Sequence, residues 1–92
     1  MANVVITMKI MPESPEEDLA KITESAKEKI AEFTGEGETR TEEEPIAFGL
    51  KALKILFVSD ESKGSTEELE KQIEEIKGVQ SVEVIDVRRA IG

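Results

Sequence analysis

Residues 3–11 alternate along the chain: Val4, Ile6, Met8 and Ile10 fall on one side, and Val5, Thr7, Lys9 and Met11 on the other. A period of two predicts a strand. Pro12 stops it. Ser14-Pro15-Glu16-Glu17 then reads as a helix start. Ser14 serves as cap, Pro15 sits where its missing N–H costs nothing, and Glu17 completes a capping box. Leu19, Ile22, Ala26, Ile30 and Phe33 follow at steps of three or four and form one apolar stripe. Gly35 and Gly37 end this helix and turn the chain.

Residues 38–44 make a poor strand alone, but Pro45-Ile46-Ala47-Phe48 extends them. The proline and the run Glu42-Glu43-Glu44 place this strand at a sheet edge, where a lost ladder bond and exposed charge are tolerated. Gly49 makes the bend. Residues 50–58 are the most hydrophobic segment, with Leu53, Ile55 and Phe57 on one face and Leu56 and Val58 on the other, which predicts a central strand. Residues 60–64 read as a turn. Ser65, with Glu68 three positions on, opens a second helix; Leu69, Ile73 and Ile76 line its buried side and Gly78 closes it. The last strand runs from Val79 to Val87 with Val82 and Val84 inward. Ile85 and Val87 break the alternation, which predicts a bulge or a half-covered second face.

The order β-α-β-β-α-β is that of a ferredoxin-like α+β sandwich. Right-handed crossovers give a four-stranded antiparallel sheet of order 4-1-3-2, with both helices on one face. Residues 1–92 are read as one domain. Strand directions then put the Phe48-Gly49 hairpin at one end with the Met11-Pro12 turn. The C-terminus and the loops at 34–38 and 60–65 lie at the other.

Composition narrows the chemistry. The formal charge is −9, from 21 acidic and 12 basic residues. That field repels phosphate backbones and anionic membranes and steers cationic protein surfaces. With no Cys, His, Trp or Tyr, thiol chemistry, imidazole base catalysis and the usual transition-metal ligands are excluded. No cofactor or metal is implied. A small disulfide-free domain suits the cytoplasm. High charge with only Asn3, Gln72 and Gln80 as amides hints at a thermophilic source. The first residues lack the pattern of a signal peptide, and no apolar run reaches membrane-spanning length. The glutamate runs read as solvated faces, not catalytic pairs. Lys63-Gly64-Ser65 lacks the rest of a phosphate loop, and Gly35-Glu36-Gly37 follows a helix, not a strand. RNA-binding sheets of this topology stack bases on aromatic residues of their central strands, where this chain has only a core-facing Phe57.

Two features stand out from this background. Phe48 falls at a hairpin tip between Ala47 and Gly49, as a lid over the helix layer or an anchor for a partner. Arg88 and Arg89 are adjacent cations at a strand end, either balancing Glu83 and Asp86 or reaching outward.

At these residues the chain resembles the guanine-nucleotide exchange domains of the elongation factor 1-beta family, particularly the short archaeal form. The resemblance covers essentially the whole chain. It rests on residues 11–15 (Met-Pro-Glu-Ser-Pro), 43–50 (Glu-Glu-Pro-Ile-Ala-Phe-Gly-Leu) and 79–84 (Val-Gln-Ser-Val-Glu-Val), ending in Asp86-Val87-Arg88-Arg89. It implies a ferredoxin-like fold and a partner, the GTPase elongation factor 1-alpha, whose GDP release such domains accelerate without covalent chemistry. It also implies that Phe48, beside Gly49, enters a hydrophobic pocket on the GTPase. Arg89 is the nearest match to a basic residue that reaches the magnesium and phosphate site, with Arg88 as a possible substitute. The eukaryotic members carry Lys there and end one residue later. An amino-acid-binding regulatory domain of the ACT type and a purely structural complex subunit share this topology and stay open on the residues alone. Against the ACT type, Pro12 and Pro15 stand where such domains carry a glycine-rich loop.

Overall fold

A computed structural model describes residues 3–35, 39–47, 49–60, 62 and 65–89. Its elements are β1 (Asn3–Pro12), α1 (Leu19–Thr34), β2 (Thr39–Pro45), β3 (Lys51–Asp60), α2 (Glu67–Glu74) and β4 (Val79–Arg89). The strands form one sheet in the order β2-β3-β1-β4, with every neighbouring pair antiparallel. This is the predicted ferredoxin-like order read from the opposite edge. Pro45 ends an edge strand, as its missing donor requires.

The alternation in β1 and β3 decides which face is covered. Ile6, Met8 and Ile10 of β1 join Leu53, Ile55 and Phe57 of β3 in a core closed by Ile22, Ala26 and Ile30 of α1, Leu69 and Ile73 of α2, and Val79 and Val82 of β4. Leu19, Phe33 and Ile76 pack around its rim. Phe57 is 1% exposed, so no aromatic ring of the central strands is offered to bases.

Both helices start later than the capping-box patterns suggest. Residues 14–17 form a turn closed by Glu17 N–H to the Ser14 carbonyl. The cap of α1 is Asp18, whose carboxylate accepts from the N–H groups of Ala20 and Lys21. The Glu17 carboxylate lies beside Gly78, where an added Cβ would stand 2.7 Å from Oε1. Gly35 caps the far end, its N–H bonded to the Ala31 carbonyl. In α2 the cap position is Thr66. Ser65 Oγ, one residue outside, accepts from Glu67 N–H, and the Thr66 hydroxyl donates to Glu70, so Glu68 completes no capping box. Glu67, Glu68 and Glu70 in its first turn complement the positive helix end. The helix stops at Glu74, four residues before Gly78.

β2 also ends sooner than predicted. Ile46 and Ala47 belong to the hairpin turn, not to the strand.

β4 carries the predicted irregularity. Thr7 pairs with Asp86 and Met8 with Val84, so Ile85 is an extra residue that reverses the facing of the residues after it. A second shift near Pro12 leaves Gln80 unpaired in register. The bulges also make this edge a poor template for adding another strand. α2 has 8 residues and β4 has 11. At about 1.5 Å and 3.3 Å per residue the helix cannot cover the strand. Val87 is accordingly 58% exposed.

Candidate functional site

The hairpin between β2 and β3 is closed by Ile46 N–H to the Leu50 carbonyl at 2.8 Å and by Leu50 N–H to the Ala47 carbonyl at 2.9 Å. Gly49 sits in this turn with φ +79°, a backbone region that L side chains rarely enter. Space is not the constraint there, since a Cβ would meet Pro15 only at 3.7 Å. The same proximity brings the hairpin against the 12–18 loop, as the strand directions predict. Phe48 itself lies outside the described residues. Its neighbours Ile46, Ala47 and Gly49 are exposed, Ile46 by 44%. Assigning Ile46 to the strand conceals its place in an apolar tip; Pro45 just before it is the signal for the earlier turn.

The hairpin stands on a charged ladder. Lys51 Nζ lies 3.9 Å from Glu43, and Lys54 Nζ lies 2.9 Å from Glu44, each pair being diagonal across β2 and β3. The Lys54 hydrogen bond and charge hold the Glu44 carboxyl below its ordinary value against a smaller effect of desolvation, with Lys9 adding slightly. Reciprocally, Glu44 holds the Lys54 ammonium above its ordinary value, first by the hydrogen bond and then by charge. Lys9 and Lys54 are directly opposite one another on β1 and β3, an unfavourable pairing of like charges. Glu42 opposite Lys54 and Glu83 opposite Lys9 flank and offset it.

The other candidate residues lie at the opposite end. Arg88 pairs with Val5 and Arg89 with Val4, whereas the hairpin end is marked by Pro12 opposite Val79. Eight steps of β1 separate these rows, about 26 Å at 3.3 Å each. The structure therefore does not bring Gly49 and the arginines into one patch. Nor are the two arginines equivalent. Val5 belongs to the helix-free face and Val4 packs toward the core, so Arg88 leaves the sheet on the helix-free face and Arg89 on the helix face. Arg88 Nε lies 2.9 Å from Asp86 on that same face, a surface pair whose arginine side chain is 79% exposed. The charge-balancing role thus falls to Asp86 for Arg88.

Among the described residues no group of His, Cys, Asp and Glu is arranged to hold a metal ion. No helix among the described residues is long and apolar enough to cross a membrane.

Residues 5–90 match the model of the EF-1 guanine nucleotide exchange domain. The chain belongs to that family. Three archaeal relatives named Elongation factor 1-beta align along nearly its whole length. The protein of Methanothermobacter thermautotrophicus is 45% identical over 89 residues, covering 97% of this chain and 98% of the relative. That of Methanosphaera stadtmanae is 46% identical with the same coverage. That of Aeropyrum pernix is 41% identical, covering 97% and 98%. Among solved structures, the de novo designed protein Foldit4 superposes with a TM-score of 0.62 over 98% of both chains at 18% identity, a likeness of fold alone. The activity that the family's description gives is guanine nucleotide exchange.

Proposed function

We propose that this exchange domain is an elongation factor 1-beta that promotes replacement of GDP by GTP on the GTPase elongation factor 1-alpha. The observation that carries the reading is the family match over residues 5–90, with relatives of that name aligned end to end. The two-ended layout supports a division of labour. Phe48 and Gly49 at the hairpin dock on one part of the GTPase and supply binding energy. Arg89, from the other end, competes with magnesium for its ligands and loosens the bound phosphates. The guanidinium is planar and forked, so it engages phosphate oxygens in pairs where an ammonium would act as a point charge. Arg88 leaves the opposite face of the sheet and does not take over the same position.

The test is release of a fluorescent GDP analogue from a cognate archaeal elongation factor 1-alpha, with and without this protein. Release accelerates. Arg89→Ala lowers the maximal release rate more than the affinity, whereas Phe48→Ala chiefly raises the concentration needed for half-maximal effect. Absence of acceleration with the cognate GTPase overturns the reading.

A further inference from the structure

The chain has three arginines, Arg40, Arg88 and Arg89, against nine lysines, and the fold gathers all three arginines in one half of the sheet. Arg40 is opposite Leu56 on the β2 edge, and Leu56 is in turn opposite Thr7 on β1. Arg88 is opposite Val5 on the β4 side, and Val5 is opposite Val58. Arg40 and Arg88 thus rise from the two edges of the same helix-free face, three strand spacings across and two residues along, about 16 Å apart. The floor between them is apolar: Val5 and Leu56 are half-buried and Val58 is 39% exposed, with Thr7 among them. Both helices lie on the other face, so neither covers this floor. Two described carboxylates at this end are already engaged. Asp86 pairs with Arg88, and Asp60 accepts from Ser62 N–H at 2.9 Å.

An arginine-rimmed aliphatic floor on a molecule of net charge −9 is the reverse of its general field. Arginine binds carboxylates through paired N–H groups and is favoured at protein interfaces, whereas lysine is depleted there. A polyanion such as RNA suits neither the aliphatic floor nor the overall charge. Arg89, which the exchange reading places at the nucleotide site, follows Arg88 at the same strand end but leaves on the other face of the sheet. We propose that the helix-free face around Arg40, Val58 and Arg88 is a third docking surface. It takes an acidic-rimmed apolar patch of the same GTPase. This inference rests on the exchange reading.

The test titrates wild type, Arg40→Glu, Arg40→Gln and Val58→Ser in the GDP-release assay. Lys27→Glu, a charge reversal on the exposed side of α1, is the control. For Arg40→Glu the half-saturating concentration rises roughly tenfold, and for Arg40→Gln and Val58→Ser about threefold, with the maximal rate kept. The control stays within about twofold, and the salt dependence of half-saturation is weaker in Arg40→Glu than in wild type. Because these positions are exposed, melting curves stay close to wild type. If wild type itself does not accelerate release, the exchange reading fails and this one with it. If wild type accelerates and Arg40→Glu behaves like Lys27→Glu, only the docking surface is overturned. A wild-type dimer that Val58→Ser dissociates in sedimentation, with release unchanged, assigns the face to a second copy and also overturns it. Weaker binding of a labelled RNA by Arg40→Glu, with release unchanged, does the same.

Discussion

At the scale of single residues, the turn into β4 is held by a contact that sequence patterns do not describe. Gly78 is buried with φ +95°, and its carbonyl accepts from Glu13 N–H at 2.8 Å. Its missing side chain leaves room for the Glu17 carboxylate, whose Oε1 would be 2.7 Å from a Cβ. Gly78→Ala therefore forces a strained backbone and displaces Glu17. The displaced atom is the end of a flexible chain, so it can swing aside and the backbone dominates. The expected loss is about 1–2 kcal/mol of unfolding free energy, read from urea melts. A double variant Glu17→Ala with Gly78→Ala recovers little of it. Substantial recovery would mean that the clash, not the backbone, carries the cost.

At the scale of elements, the α1 cap gives a sharper test of what the chain encodes. Two serine-to-glutamate spacings suggest helix starts at Ser14 and Ser65, and in both places the helix begins later. Asp18→Ala removes the carboxylate that accepts from Ala20 and Lys21, and should lower stability by about 1 kcal/mol; Ser14→Ala should change it by far less. Equal losses from the two would contradict the cap assignment. The strands were more legible. Alternation in residues 3–11 and 50–58 groups Ile6, Met8 and Ile10, and Leu53, Ile55 and Phe57, each on one side of a strand, and those sides form the core because burial of one face enforces a period of two. The break at Ile85 was visible because two apolar residues fell out of phase. The capping boxes misled because the same spacing serves a turn at residues 14–17. Arg40 carries no sequence signal because β2 has too few apolar positions to declare which face each residue takes; only its pairing with β3 settles that. Of the candidate site, the Gly49 turn and the two-ended layout could be read in advance. Which face Arg88 and Arg89 each take depends on the bulge and could not.

At the scale of the whole molecule, length is what matters. The domain measures 42 × 21 × 18 Å, because strands of 10 and 11 residues outrun the helices laid across them. Such a body can touch a partner at both ends while its helices stay in solvent. On the exchange reading, the hairpin's favourable contact offsets the intrusion of Arg89 at the other end, and linkage then fixes a quantity that can be measured. Whatever factor the domain takes from the affinity of the GTPase for GDP, GDP takes from the affinity of the GTPase for the domain. Couplings of this kind usually amount to about 1–3 kcal/mol, or roughly 5–150-fold. Titrating the domain into nucleotide-free and GDP-loaded elongation factor 1-alpha gives one ratio; GDP affinity with and without saturating domain gives the other. The two ratios should agree for wild type, and both should fall toward one in Arg89→Ala. In Phe48→Ala both domain affinities should drop together and leave the ratio nearly unchanged, since the hairpin contact is indifferent to nucleotide. A wild-type ratio near one despite faster release would show that the domain speeds GDP entry and exit alike without weakening its binding. The picture of an arginine competing for the magnesium and phosphate site would then be wrong.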